Sequence, residues 1–218
     1  MSHKKYHPAK YTNSFIPFFA DILKDASSVL DPMAGTGKIS LIREHGYDGD
    51  IYCNDILDWG DLKSDDVRWT FEDAASLPYE DASFDAICTS PVYGNRMSDH
   101  FNSKDGSKRL TYRHGFGEEL SKDNTGRMQW GKKYQQKHAE IYKECRRLLR
   151  SEGTFVVNVS DHIRAGEVVP VAKWHEQALI DAGFALVERR EIETPRMGFG
   201  ANAKARVQYE IIMVFRKV

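Results

Sequence analysis

The segment Asp31-Pro32-Met33-Ala34-Gly35-Thr36-Gly37-Lys38 sets an acidic residue beside two closely spaced glycines, directly after the apolar run Ser28 to Leu30. At the end of a parallel strand, where a helix opens, such glycines let a ligand touch backbone amides. The spacing is not that of a phosphate-binding Gly-x-x-x-x-Gly-Lys-Ser/Thr loop, and it holds only part of the three-glycine dinucleotide fingerprint. Alone it fits equally well a turn needed only for tight strand-to-helix packing. Two more carboxylates follow at later strand ends. Asp55, twenty residues past Gly35, stands where an acidic side chain can accept hydrogen bonds from ribose hydroxyls. Asp73, in Phe71-Glu72-Asp73-Ala74-Ala75-Ser76-Leu77-Pro78, can accept one from an adenine amino group. Each is bland by itself, since acidic residues often end strands or cap helices. Together with Asp31 they form one nucleoside-sized set across three consecutive strands.

Alternating short apolar runs and amphipathic stretches predict the elements that would carry these residues. Strands are expected at Ser28 to Leu30, Asp50 to Asn54, Val67 to Phe71, Phe84 to Thr89, Thr154 to Val159, Ala185 to Ile192 and Val207 to Phe215. Helices are expected at Ser14 to Lys24, Lys38 to Glu44, Gln135 to Leu149 and Val169 to Ala182. The pattern predicts one α/β domain over residues 1–218, a doubly wound seven-stranded sheet that is mostly parallel. The last two strands are separated by a loop with Pro195, Gly198 and Gly200 and no room for a crossover helix, so they should form an antiparallel hairpin at one edge. Residues 94–133 break the rhythm and read as one long loop, either a functional lid or binding loop or a disordered insertion.

The combination Val29-Leu30-Asp31-Pro32-Met33-Ala34-Gly35-Thr36-Gly37, Asp55 and Glu72 to Pro78 resembles motifs I, II and III of class I S-adenosylmethionine-dependent methyltransferases, whose sheet is Rossmann-like. Thr89-Ser90-Pro91-Val92-Tyr93 is similar to their motif IV in the amino-methyltransferases, Ser/Asp/Asn-Pro-Pro-Tyr/Phe. His7 to Phe15 is similar to motif X of the same group. The resemblance implies S-adenosylmethionine as cofactor and a donor site built from Asp31, Met33, Ala34, Gly35, Thr36, Gly37, Asp55, Ile56, Asp73, Ala74 and Ser90, with Lys10, Tyr11 and Thr12 over the methionine end. Catalytic residues would be Ser90, Pro91 and Tyr93. A ring-conjugated exocyclic amine is a poor nucleophile, so the Ser90 side chain and Pro91 carbonyl would accept its hydrogens and aim its lone pair at the methyl group. The Tyr93 ring would stack on a base taken out of its helix. No metal is required, because a cationic donor leaves as a neutral thioether and charge is largely neutralised. The sequence departs from the motif at Val92, where a proline is usual, which loosens φ there and alters how the Pro91 carbonyl is aimed.

A base as acceptor implies phosphates nearby. Residues 1–93 hold 8 Lys/Arg against 16 Asp/Glu, whereas residues 94–218 hold 23 against 16, so the net −1 hides halves of −8 and +7. Such asymmetry fits either a face that meets a polyanion or two solvated surfaces of opposite sign. Val92, Asn95, Arg96, Arg109, Arg113 and Trp130 are candidate substrate contacts in and after the motif, where basic and aromatic residues interleave. Asp161, His162 and Arg196 lie on loops leaving strand ends near the same place. His162 reads as a substrate-binding or structural residue, not a base, and Arg146 and Arg147 as an exposed helix end. The expected reaction is methylation of a base amine in DNA, with N4 of cytosine preferred over N6 of adenine because the motif opens with serine. RNA as the nucleic-acid partner, and a non-catalytic nucleic-acid-binding module, are the competing readings. Neither a membrane span nor a secretory signal is visible, which points to the cytoplasm. Cys53, Cys88 and Cys145 have neither disulfide nor zinc-type spacing.

Overall fold

The computed structural model describes residues 5–8, 13–95, 98, 111–194 and 207–218. Nine strands are assigned there: β1 (Ser28–Asp31), β2 (Asp50–Asn54), β3 (Arg68–Thr70), β4 (Phe84–Thr89), β5 (Leu149–Val159), β6 (His162–Arg164), β7 (Glu167–Val169), β8 (Phe184–Glu193) and β9 (Tyr209–Lys217). Seven of them form a sheet in the order β3-β2-β1-β4-β5-β9-β8. Pairing is parallel from β3 to β5 and antiparallel where β9 inserts between β5 and β8. The edge hairpin read from the sequence is therefore present. An additional small hairpin, β6 with β7, follows β5; its Gly166 turn and short arms escape a search for longer apolar runs.

The helices are α1 (Ile16–Leu23), α2 (Tyr112–Phe116), α3 (Lys132–Leu148) and α4 (Val171–Asp181). Ile16, Phe19, Ala20 and Leu23 of α1 recur at helical spacing and cover one sheet face with Val29, Ile51, Ala86 and Val156. Ile141, Tyr142, Cys145 and Leu148 of α3, with Ala172 and Leu179 of α4, cover the other with Leu30, Ile87, Phe155 and Val157. Burying both faces lets the central strands read as continuous apolar runs. Lys38–His45 is a 3-10 helix instead of the α-helix expected. Its buried residues Ile39 and Ile42 are three apart, the repeat of that tighter helix, and glycines bound it at both ends.

Residues 111–133 are also more ordered than a featureless loop. They contain α2 and a 3-10 turn at Thr125–Arg127, and bury Tyr112, Arg113, Leu120 and Asn124. Among the described residues no helix is long and apolar enough to cross a membrane, and no group of three or more His, Cys, Asp or Glu could hold a metal ion. All three cysteines are free thiols in the core.

Candidate active site

Strand order reverses between β1 and β4, and the C-terminal ends of those strands face one crevice, the usual ligand position in such sheets. The glycine turn leaves β1 and the Ser90 turn leaves β4, so the topology sets them side by side. Asp31 closes β1 almost fully buried, with Oδ1 accepting the Met33 N–H at 3.1 Å. Burial, reinforced by the nearby Asp55 carboxylate, pushes its carboxyl up to about 7. Ala34 is tied to the end of β2 through its N–H to the Asn54 carbonyl at 2.8 Å, and the Thr36 carbonyl accepts the Ser64 N–H at 3.0 Å.

Gly35 adopts φ +57° and donates its N–H to Asp55 Oδ2 at 2.9 Å. A Cβ at this position would stand 2.8 Å from His7 Nε2, so both conformation and crowding require glycine. The His7 ring that lies over the turn packs edge-on against Trp59 at 4.6 Å and Tyr112 at 5.8 Å. Beside it the Tyr6 N–H reaches the Gly115 carbonyl at 2.9 Å. The N-terminal segment and α2 thus roof the glycine turn together. Lys10, Tyr11 and Thr12 lie outside the described residues.

Asp55 receives a second backbone N–H, from Leu57, on Oδ1 at 2.9 Å. Desolvation pushes its carboxyl up to about 6 despite these bonds. Each oxygen retains a lone pair, so the carboxylate can still accept from a diol, and Ile56 follows it half-buried. Asp73 accepts the Ala75 N–H at 3.0 Å through Oδ1, and its Oδ2 is ion-paired with Lys137 of α3, beside the buried Ala74. A carboxylate with two diol-competent oxygens, a glycine turn and a third acidic side chain at Asp73 have the chemistry that S-adenosylmethionine would need.

At the other side of the crevice, Ser90 Oγ is 3.3 Å from the Tyr93 hydroxyl, which donates to Glu210 Oε2 at 3.3 Å. The same carboxylate oxygen accepts the Asn158 amide at 2.9 Å. Glu210 at the start of β9 and Asn158 near the end of β5 are 5% and 4% exposed. Asn158 Oδ1 has no partner among the described residues. Because a carboxylate only accepts, Tyr93 spends its proton on Glu210 and Ser90 must donate to Tyr93. The serine oxygen is left with lone pairs to accept from a ligand. Sequence reasoning missed Glu210, an acidic residue at the head of an apolar strand; a buried charge in such a run is the signal that was available.

Pro91 is buried, Val92 and Asn95 are half-buried, and Gly94 at φ +63° accepts the Trp130 N–H on its carbonyl at 2.8 Å. Trp130 is thereby brought to the corner, its carbonyl and that of its neighbour's side chain contacted by Arg164 at 3.4 and 3.0 Å. Other candidates serve the framework. Arg113 is 1% exposed and ion-paired with Glu119 at 3.4 Å, which turns its guanidinium away from solvent phosphates. Asp161 Oδ1 accepts the Ala172 N–H at 2.8 Å and so caps the first turn of α4. His162, half-buried in β6, has its pKa lowered by desolvation and then by Arg164. Arg96, Arg109 and Arg196 lie outside the described residues.

A sequence model of N6/N4 methyltransferases, described as DNA methylase, matches residues 84–218, from β4 to the end of β9. The chain belongs to that DNA methylase family. The methylase is an S-adenosylmethionine-dependent methyltransferase, and the matched span contains the Ser90 corner, Asn158 and Glu210. No curated protein sequence matches the chain. Among solved structures, the [4+2]-cyclase SpnF superposes on the methylase with a TM-score of 0.58 at 14% identity, over 99% of this chain and 86% of that one. A SAM-dependent methyltransferase from Methanosarcina mazei gives 0.55 at 15%, over 93% and 97%. The 1,6-didemethyltoxoflavin-N1-methyltransferase of Burkholderia thailandensis, solved with 1,6-didemethyltoxoflavin and S-adenosylhomocysteine, gives 0.54 at 15%, over 93% and 76%. At these identities the likeness is one of fold, and the presence of a cyclase among them illustrates that the fold alone does not choose the reaction.

Proposed function

We propose that this methylase transfers a methyl group to an exocyclic base amine in DNA, with N4 of cytosine preferred over N6 of adenine. The observation that carries this reading is the chain Ser90, Tyr93, Glu210 at the end of β4, beside the glycine turn of β1. It polarises a serine oxygen as an acceptor, which is what a planar amine needs before its nitrogen lone pair can leave conjugation. The Pro91 carbonyl supplies a second acceptor. Gly35, Gly37 and Asp55 would hold the methionine and ribose portions of S-adenosylmethionine, and Asp73 with Ala74 its adenine. Bound there, the cofactor supplies an electrophilic methyl group on a sulfonium.

The proton that the amine sheds after transfer has a hydrogen-bonded path from Ser90 through Tyr93 to Glu210. Residues 94–133 would form the target-contacting element in this reading, and Trp130, whose N–H bonds the Gly94 carbonyl, would offer part of a stacking surface. Mass spectrometry of nucleosides from DNA treated with the protein and S-adenosylmethionine tests the assignment, and N4-methylcytosine is the expected product. 5-Methylcytosine, or no methylated base, would defeat it; methylation confined to RNA in a paired assay would transfer the activity to that polymer.

A further inference from the structure

Behind the Ser90 to Tyr93 corner, a line of fully buried polar groups runs between α3 and α4. The Tyr134 hydroxyl lies 2.5 Å from the Val92 carbonyl and 2.8 Å from His175 Nε2, and His175 Nδ1 lies 2.5 Å from the Tyr142 hydroxyl. Tyr134, Tyr142 and His175 are each 0% exposed. For a neutral His175, one arrangement of protons satisfies every contact. The Val92 carbonyl can only accept, so Tyr134 donates to it. His175 then donates Nε2–H to the Tyr134 oxygen, and its bare Nδ1 accepts the Tyr142 proton.

Helical spacing explains how these groups meet: Tyr134, His138 and Tyr142 recur every four residues along one face of α3. His175 enters from α4, and the His138 ring closes the side of Tyr134 at 4.0 Å between centroids, with Nδ1 on the Tyr134 carbonyl at 2.9 Å. Burial holds both histidines neutral and both phenols protonated. The order is therefore independent of working pH. His138 Nε2 has no partner among the described residues, but the hydroxyls of Tyr134 and Tyr142 and both ring nitrogens of His175 are bonded, and a buried polar chain of this kind rigidifies what it touches. Ring contacts reach Trp130 and Phe155, but among the described residues the hydrogen bond that leaves the two helices goes to a loop carbonyl, that of Val92, a residue with no ring to fix its φ.

We propose that Tyr134, His175 and Tyr142 form a positioning relay that holds the Val92 carbonyl and so fixes the aim of the Pro91 carbonyl in methyl transfer. The inference rests on the reading of Ser90 to Tyr93 as the acceptor corner. Tyr134→Phe removes only the hydroxyl, and kcat is expected to fall about 10- to 100-fold, the scale of a misplacement near 1 Å, with the donor Kd unchanged. Tyr142→Phe stands two links back; it frees His175 to take the other tautomer and draw the Tyr134 proton away from Val92. It should lower kcat in the same sense, and the double variant should be no slower than Tyr134→Phe alone, whereas separate structural defects would multiply. Adding Val92→Pro to Tyr134→Phe should restore part of kcat by replacing the lost restraint with a ring.

The decisive measurements are methyl transfer to DNA by the full chain and its variants, and ¹⁵N NMR of labelled histidines. An Nε2–H tautomer at His175 in the wild type that is lost in Tyr142→Phe supports the relay. An Nδ1–H or cationic His175 overturns it, as do multiplicative effects of the two tyrosine variants or a wild-type kcat in Tyr134→Phe. Absence of methyl transfer by the wild type would defeat the functional reading instead, while the tautomer would still decide whether the relay exists.

Discussion

Replacing Glu210 with glutamine tests the acceptor chain at its anchor. Oε2 receives both the Tyr93 hydroxyl at 3.3 Å and the Asn158 amide at 2.9 Å. A glutamine carbonyl in the same place keeps both contacts, deletes the charge and puts an amide donor where the other carboxylate oxygen stood. Hydrogen bonds to charged groups contribute about 1.5–3 kcal/mol and neutral ones about 0.5–1.5. The longer Tyr93 contact belongs at the weaker end, so the charge there is worth roughly 1 kcal/mol, about a fivefold loss of kcat at 1.36 kcal/mol per decade. Glu210→Ala removes the acceptor altogether. It leaves a buried hydroxyl without its partner at about 1–3 kcal/mol, and kcat should fall about 5- to 150-fold with a lowered melting temperature. The assay is transfer of labelled methyl from saturating S-adenosylmethionine to DNA, with donor KM measured in parallel. Donor KM should stay within about twofold, because the glycine turn belongs to β1 and β2. In a Tyr93→Phe background the link to Ser90 is already cut, so Glu210→Gln should have no further effect on kcat. A folded Glu210→Gln enzyme with wild-type kcat, or one equally impaired with and without the Tyr93 hydroxyl, would refute the reasoning.

Asp55 sits at about 6, and ribose hydroxyls favour its ionised form; calorimetric affinity for S-adenosylmethionine should weaken by up to about tenfold per pH unit below 6, and Asp55→Asn should bind weakly without that slope. Asp31 is raised from its ordinary 3.8 to about 7, so its contribution to stability is complete below about pH 4 and is lost as pH rises through 7. Asp31→Asn retains an acceptor for the Met33 N–H, and its stability relative to wild type should improve between pH 5 and pH 8 by a few kcal/mol at most, at about 1.4 kcal/mol per pH unit; thermal denaturation showing no such trend would remove Asp31 from the account. Gly94→Ala forces a Cβ to 2.7 Å from the Trp130 nitrogen at φ +63°. It should cost about 1–2 kcal/mol and lower the melting temperature by about 2–8 °C, with DNA affinity reduced and donor affinity unchanged in filter-binding and calorimetric assays.

What could be read in the sequence was what is local in the chain. The glycine turn, Asp55 and the Ser90 corner each follow an apolar run whose strand character is unambiguous, so motif and element support each other. The edge hairpin followed from the length of the connection between the last two strands. The parts that stayed hidden are those that depend on contacts distant in the chain. Glu210 lies 117 residues from Tyr93 along the chain, so the charge in an apolar run marks it as unusual without naming its partner. Tyr134, Tyr142 and His175 carry helical spacing that reads as core, which is also true, and only packing α3 against α4 reveals that their polar atoms are ordered toward one loop carbonyl. Arg113 shows the opposite error, since a basic residue in a basic stretch reads as surface until its burial against Glu119 is seen. The glycine-turn side of the site is thus written in short motifs because each of its acidic and glycine residues directly follows its own strand, whereas the Ser90 side is assembled by tertiary contacts from β4, β5, β9, α3 and α4. That division predicts where tolerance to substitution lies: changes in α3, α4 or β9 that preserve the core volume but remove a single hydroxyl or carboxylate should spare donor binding and impair transfer.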